Sequence, residues 1–156
     1  MTEYLTIAAL IGAGLNAGVF FSFSTFTMSG LKRLEPAMGA AAMQEINREA
    51  PKAPLMILMF GTALVSAVLM VDGFQNLGEV AARYQAAAGV IFIVSVIMLT
   101  GMYHVPRNNA LDRLDAESRE GQRYWEIYRR EWTRMNHVRT IAPAATAVLL
   151  AISLVV

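Results

Sequence analysis

The residues of this chain best suited to chemistry gather in one stretch, Trp125-Glu126-Ile127-Tyr128-Arg129-Arg130-Glu131-Trp132-Thr133-Arg134-Met135-Asn136-His137-Val138-Arg139-Thr140, which leads into an uncharged run ending at Val156. Arg139 stands at the edge of that run. Its guanidinium cannot be neutralised, so it must pair, snorkel to the interface or bind an anion. Wound as a helix at about 100° per residue, Trp125, Trp132, Asn136, Arg139 and Pro143 share one face, and His137 falls about 160° from Arg139, beside Thr133, Arg130 and Glu126. A regular helix therefore sends Arg139 and His137 to different surroundings. Only a break, for which Pro143 is the candidate, would turn both into one pocket.

The two histidines, His104 and His137, lie at corresponding ends of two apolar runs. Either could serve as a general base, since an unperturbed imidazole titrates near neutrality. With Glu126 or Glu131 they could instead hold a divalent metal, so a membrane metalloenzyme using His104 and His137 is an alternative. The usual ligand spacing is missing: there is no HxxxH, no ExxH and no third histidine. The chain has no cysteine, which excludes thiolate-held metals and iron–sulfur clusters. No serine has a histidine–acid partner by spacing, and Gly12-Ala13-Gly14 lies inside an apolar run, where a phosphate loop does not form. Asn16 sits in that same run. An amide at mid-membrane depth must find partners, either across to another helix or on a ligand. Phe20, Phe23 and Thr27 share its stripe. Gly14, Gly18 and Ser22 form a small-residue stripe opposite, read as helix packing within the bundle, with homodimerisation the alternative.

The elements that hold these residues are plain from charge. Of 156 residues, 56% are hydrophobic and 16% charged, against ~45–50% and ~25% in an average soluble domain. That balance excludes disorder and a nucleic-acid-binding arm. Tyr4 to Leu31 carries no charge over 28 residues, Ala53 to Val71 over 19, Tyr84 to Tyr103 over 20 and Thr140 to Val156 over 17. A bilayer core takes ~20 apolar residues as helix. The chain is thus read as one all-α domain, 1–156, a four-helix integral membrane bundle with spans at about 4–30, 53–72, 82–105 and 134–156. The first run has acidic Glu3 before it and is too long for a cleaved leader.

Of the 13 basic residues, 12 fall in the 31–52 loop, the 104–135 segment or at Arg139, and Arg83 alone falls on the other side. The positive-inside rule puts the large loops in the cytoplasm and both termini outside. Pro36-Ala37-Met38-Gly39 reads as a turn, and Ala40 to Ala50 as a short amphipathic cytoplasmic helix with Met43, Ile46 and Asn47 on one side. Asp72-Gly73 and Asn76-Leu77-Gly78 read as an outer turn, and Pro106 as the end of span three. Asp112 to Arg134 reads as a longer helix before span four, its Tyr124, Trp125, Tyr128 and Trp132 suited to a headgroup belt. Membrane lipid is the partner implied, a homo-oligomer is left open, and nucleic acid is not indicated.

Several pieces, taken in order, resemble a bacterial membrane family that includes the anthrone oxygenases of polyketide pathways. They are Gly18-Val19-Phe20-Phe21-Ser22-Phe23-Ser24, Met43-Gln44-Glu45-Ile46-Asn47, Pro106-Arg107-Asn108-Asn109-Ala110-Leu111, and Trp132 with Asn136-His137-Val138-Arg139-Thr140. The resemblance implies a multi-pass protein of the bacterial plasma membrane that oxidises an anthrone-like hydrophobic aromatic molecule with O2 and no cofactor. It implicates Asn47, Asn108, Trp132, Asn136, His137 and Arg139, which the topology places at one cytoplasmic boundary. In such a site His137 or His104 is the base, and Asn136, Asn108 and Arg139 stabilise an oxyanion. Trp132, Phe20, Phe23 and Tyr103 line the cavity, and Asn16 and Asn47 complete the substrate contacts. The competing reading is a non-catalytic membrane binding or scaffold protein whose amides and arginine only lock the bundle. An enclosed pocket at that boundary distinguishes the two. A transporter would need a second copy to build a pathway.

Overall fold

The computed structural model describes residues 2–156. Four long helices, α1 (Thr2–Leu31), α3 (Ala53–Gln75), α4 (Val80–Asp112) and α5 (Arg119–Ser153), are long and apolar enough to cross a membrane. A shorter α2 (Pro36–Glu49) follows the first. In a bilayer every backbone polar group must be satisfied within the segment, which leaves helix as the form for these runs. The long helices pack in the cyclic order α1, α3, α4, α5, and α2 lies against α5 and the end of α4. This is an all-α membrane bundle.

The outward surface is apolar, with Ile57, Leu64 and Ile141 among its exposed side chains, whereas Asn16, Ser66, Gln85 and Thr146 are buried. Lipid tails are as apolar as leucine, so helices associate through close packing and buried polar links. Gln85 donates to Thr6 Oγ1 at 3.2 Å, joining α4 to α1. Gly89 lets α4 touch α3: a Cβ there would stand 2.6 Å from both the Met70 Cβ and the Ser66 carbonyl oxygen. Gly12 does the same for α1, where a Cβ would stand 2.2 Å from Thr62 Oγ1.

The sequence reading needs six corrections. Pro36–Gly39 is not a turn but the first turn of α2; proline suits that position, where its missing N–H has no helical partner anyway. Of the outer turn, Asn76-Leu77-Gly78 stands as read, but Asp72-Gly73 is helical, and Asn76 caps the Asp72 carbonyl at 2.9 Å. Pro106 does not end span three, because α4 runs on to Asp112; the wide π-helical turn Thr100–His104 just before it makes room for the ring. Gly14 and Gly18 do not pack inside the bundle. They face outward with nothing within 4 Å of a Cβ, and Gly12 on the neighbouring face makes the close contact. Trp125, Tyr128 and Trp132 are not belt residues but are buried, because α2 covers their face of α5. The long helix that precedes span four begins at Arg119 and continues into it unbroken to Ser153. Pro143 leaves the Arg139 carbonyl without its helical donor but does not break the helix.

The α2 end of the bundle is tied by polar contacts. Gln44 donates to the carbonyls of Leu111 at 2.9 Å and Leu114 at 2.8 Å, capping the end of α4. Arg48 pairs with Asp112 at 2.8 Å. Ser118 starts α5 as its N-cap, accepting from the Gly121 N–H at 3.0 Å.

Candidate functional site

One stripe of α5 carries the site. Trp125, Tyr128 and Trp132 stack along it, with successive ring centroids 5.8 and 6.2 Å apart. The same stripe continues to Asn136 and Arg139, both buried. Deep under α2 it meets a cavity of about 110 Å³, walled by Phe20 and Phe23 of α1, Met43, Ile46 and Asn47 of α2, Met56 and Met59 of α3, Thr100 and Asn108 of α4, and Trp132 and Arg139.

Arg139 is 5% exposed. Its guanidinium lies over the ring of Phe20, 4.5 Å from the centroid, and 5.0 Å from that of Trp132. It donates to Asn136 Oδ1 at 2.8 Å and to Thr100 Oγ1 at 3.2 Å. Its Nε has no partner, and no carboxylate among the described residues pairs with it. A buried charge without a counter-charge is costly unless an anion completes it. The guanidinium is compensated by π faces and neutral dipoles, the arrangement that prepares a site for a negative ligand group.

Neutral amides hold these parts in register. Asn136 Nδ2 donates to the Phe20 carbonyl at 2.8 Å and to Ser24 Oγ at 2.9 Å, tying α5 to α1. Ser24 Oγ also meets Thr140 Oγ1 at 2.9 Å. Asn108 Oδ1 accepts from Tyr128 OH at 2.8 Å and from Trp132 Nε1 at 2.9 Å. Asn47 donates to Tyr128 OH at 3.3 Å, so the three chain segments holding Asn47, Asn108 and Tyr128 share one network. Two of the polar groups sit on π-helical turns, Ser24 on Phe23–Thr27 and Thr100 on Thr100–His104. Such turns recur where a helix must re-aim side chains at a site.

The other candidates are dispersed. His104 is buried, with its ring edge-on to Trp132 at 5.0 Å and neither nitrogen hydrogen-bonded. His137 is exposed on the opposite face of α5, in an open groove with Met28, Lys32 and Arg134. The unbroken helix thus separates Arg139 from His137. Tyr103 lies under the Arg107 guanidinium at 3.5 Å and is not a cavity wall. Asn16 lies inside the bundle and does not line the cavity; its Nδ2 donates to the Gly12 carbonyl at 2.8 Å and to Thr62 Oγ1 at 3.4 Å, and its Oδ1 is buried without a partner. Among the described residues no three His, Asp or Glu side chains come together as a metal site. Thr100, Ser24, Tyr128 and the methionines went unnoticed in the sequence as site residues. Ser24 had a signal, its place four residues after Phe20; Thr100 had none beyond being a hydroxyl in an uncharged run.

No curated protein and no solved structure matches the chain. The family model described as anthrone oxygenase matches residues 47–149, well over half the chain, a stretch that contains Asn47, Thr100, Asn108, Trp132, Asn136 and Arg139. The chain therefore belongs to the anthrone oxygenase family, as a membrane protein built on a four-helix bundle.

Proposed function

We propose that the cavity under α2 binds a hydrophobic aromatic carbon acid of the anthrone type and that the protein oxidises it with O2. The observation that carries this reading is Arg139, a buried guanidinium with no carboxylate partner and a free Nε, set in the wall of an apolar, aromatic-lined cavity.

The chemistry asks little of the protein. A base removes one proton from the methylene carbon of the anthrone, and the negative charge moves onto the carbonyl oxygen across the central ring. Arg139, fixed by Asn136 and Thr100, stabilises that oxyanion without reorganising. The anion is electron-rich enough to pass one electron to O2. The resulting radical pair joins in a C–O bond, and a returning proton gives a hydroperoxide. Loss of the second C–H proton with cleavage of the O–O bond leaves the ketone and water, so one O2 yields one quinone and one H2O.

His104 is taken as the base in this reading: it is buried behind Trp132, a cavity wall, and does not line the cavity itself, so it reaches the substrate only when opening of the site turns that ring aside. His137 faces the outer groove. An apolar cavity of about 150 Å³ takes a benzene, so a fused tricyclic ligand requires α2 to ride outward from the bundle. The exposed Arg48–Asp112 pair and the Gln44 cap are the contacts that would give. We place the protein in a bacterial plasma membrane with both termini outside, on the 12-to-1 division of its basic residues. Substrate then enters from the cytoplasmic leaflet.

The test is turnover of a hydroxyanthrone by protein purified in neutral detergent. Quinone should form faster than in detergent alone, with one O2 consumed per quinone. Equal rates for wild type and the Arg139→Leu variant would overturn the reading.

A further inference from the structure

We infer that the open groove between the end of α1 and the charged half of α5 is a binding site for the headgroup of an anionic phospholipid, separate from the cavity and independent of its chemistry. The groove has a volume of about 680 Å³. Lys32, Arg123, Arg129, Arg130 and Arg134 line it, and Glu126 is its only acid. Glu126 is taken up by Arg129 in an ion pair. Lys32, Arg123, Arg130 and Arg134 make no ion pair among the described residues. Four cations without counter-charge in one concavity call for an anion.

Two features make that anion a lipid rather than a free phosphate. The floor of the groove is partly apolar, formed by Met28 and Ile127. Both of its helices then lead from it into exposed apolar surface: on α5 His137 is followed one turn on by Ile141, 68% exposed, and on α1 Ser29 lies two turns beyond Phe21, 54% exposed. A diacyl phosphodiester fits both halves, with its phosphate among the guanidinium groups and its chains along the apolar faces below. Basic recesses between helices at the membrane edge recognise anionic headgroups in this way. Arginine suits the role because its planar fork meets two phosphate oxygens at once.

The experiment is native mass spectrometry of the whole protein in neutral detergent with added phosphatidylglycerol or phosphatidylcholine. The wild type should retain phosphatidylglycerol at least tenfold better than phosphatidylcholine. R130Q/R134Q should lose that preference, R130K/R134K should keep much of it, and R113Q/R119Q, the same charge change outside the groove, should leave it intact. Inorganic phosphate at millimolar concentration should not displace the lipid. Equal retention of the two lipids by the wild type would overturn the proposal, even if a double variant failed to fold. So would an equal loss in R113Q/R119Q, which would mark diffuse charge attraction, or displacement by phosphate, which would mark a free-anion site.

Discussion

Arg139 and Asn136 stand one turn apart on α5, and the guanidinium donates to the amide oxygen at 2.8 Å while the amide nitrogen donates across to the Phe20 carbonyl at 2.8 Å. The amide is therefore oriented by its two neighbours. Its oxygen faces the cation and its nitrogen faces α1. Asn136 is neutral, so it positions the charge of Arg139 without cancelling it, and Nε is left buried without a partner.

That arrangement distinguishes two substitutions. Asn136→Asp keeps the shape but puts a carboxylate against the guanidinium, and it gives up the donor bond to the Phe20 carbonyl. It should fold and leave the site without affinity for an anion, with turnover down at least a hundredfold. Asn136→Leu removes all three side-chain links, to Arg139, Phe20 and Ser24, and should destabilise the bundle by about 1–3 kcal/mol, measured by denaturant titration in detergent. An Asn136→Asp protein with wild-type turnover would show that the unpaired charge of Arg139 is not used.

The two histidines and the arginine should separate in the same assay. Arg139→Lys replaces a planar fork held at two oxygens by a point charge, and a loss of about 10²–10³ in kcat is expected, as for removing an oxyanion donor. His104→Gln should lower kcat by about 10²–10⁴, the usual range for a general base, and leave the helical circular dichroism unchanged. His137→Asn should change kcat by less than twofold. A dead His137→Asn enzyme with an intact fold would move the reaction to the outer groove.

Small residues give a stability contrast that does not depend on function. At Gly89 a Cβ meets α3 at 2.6 Å, whereas at Gly18 it meets nothing within 4 Å. Gly89→Leu should therefore prevent the α3–α4 contact and lose the folded protein during purification. Gly18→Leu should leave thermal unfolding within a few degrees of wild type. A large loss from Gly18→Leu would reveal that the outward stripe of α1 is covered by a second copy.

Orientation can be read from one label. The chain has no cysteine, and Leu77 is half-exposed in the turn between α3 and α4. A Leu77→Cys protein in intact cells should react with an impermeant maleimide. Reaction only after permeabilisation would place the termini and this turn in the cytoplasm.

The sequence by itself determined the architecture, because the cost of charge and of unpaired backbone in lipid is so large that four uncharged runs can only be four helices. Helical period alone assigned Arg139 and His137 to different faces of a regular helix, and the unbroken run of α5 decided that the helix is regular there. Tertiary structure decided what each face meets. Trp125, Tyr128 and Trp132 look like an interfacial belt until α2 folds over them, and a belt and a buried wall use the same amphipathic side chains. Asn16 and Asn136 are alike as sequence, two amides in apolar runs. The first donates to its own helix and to Thr62 of α3 with its oxygen left unpartnered, and the second orients Arg139, because hydrogen bonds depend on which helix lies opposite. The continuity of α4 through Pro106 and of α5 through Pro143 also lay beyond local propensity. A proline's penalty is set by the turn around it, and the π-helical widening and the neighbouring helices that absorb it exist only in the packed bundle.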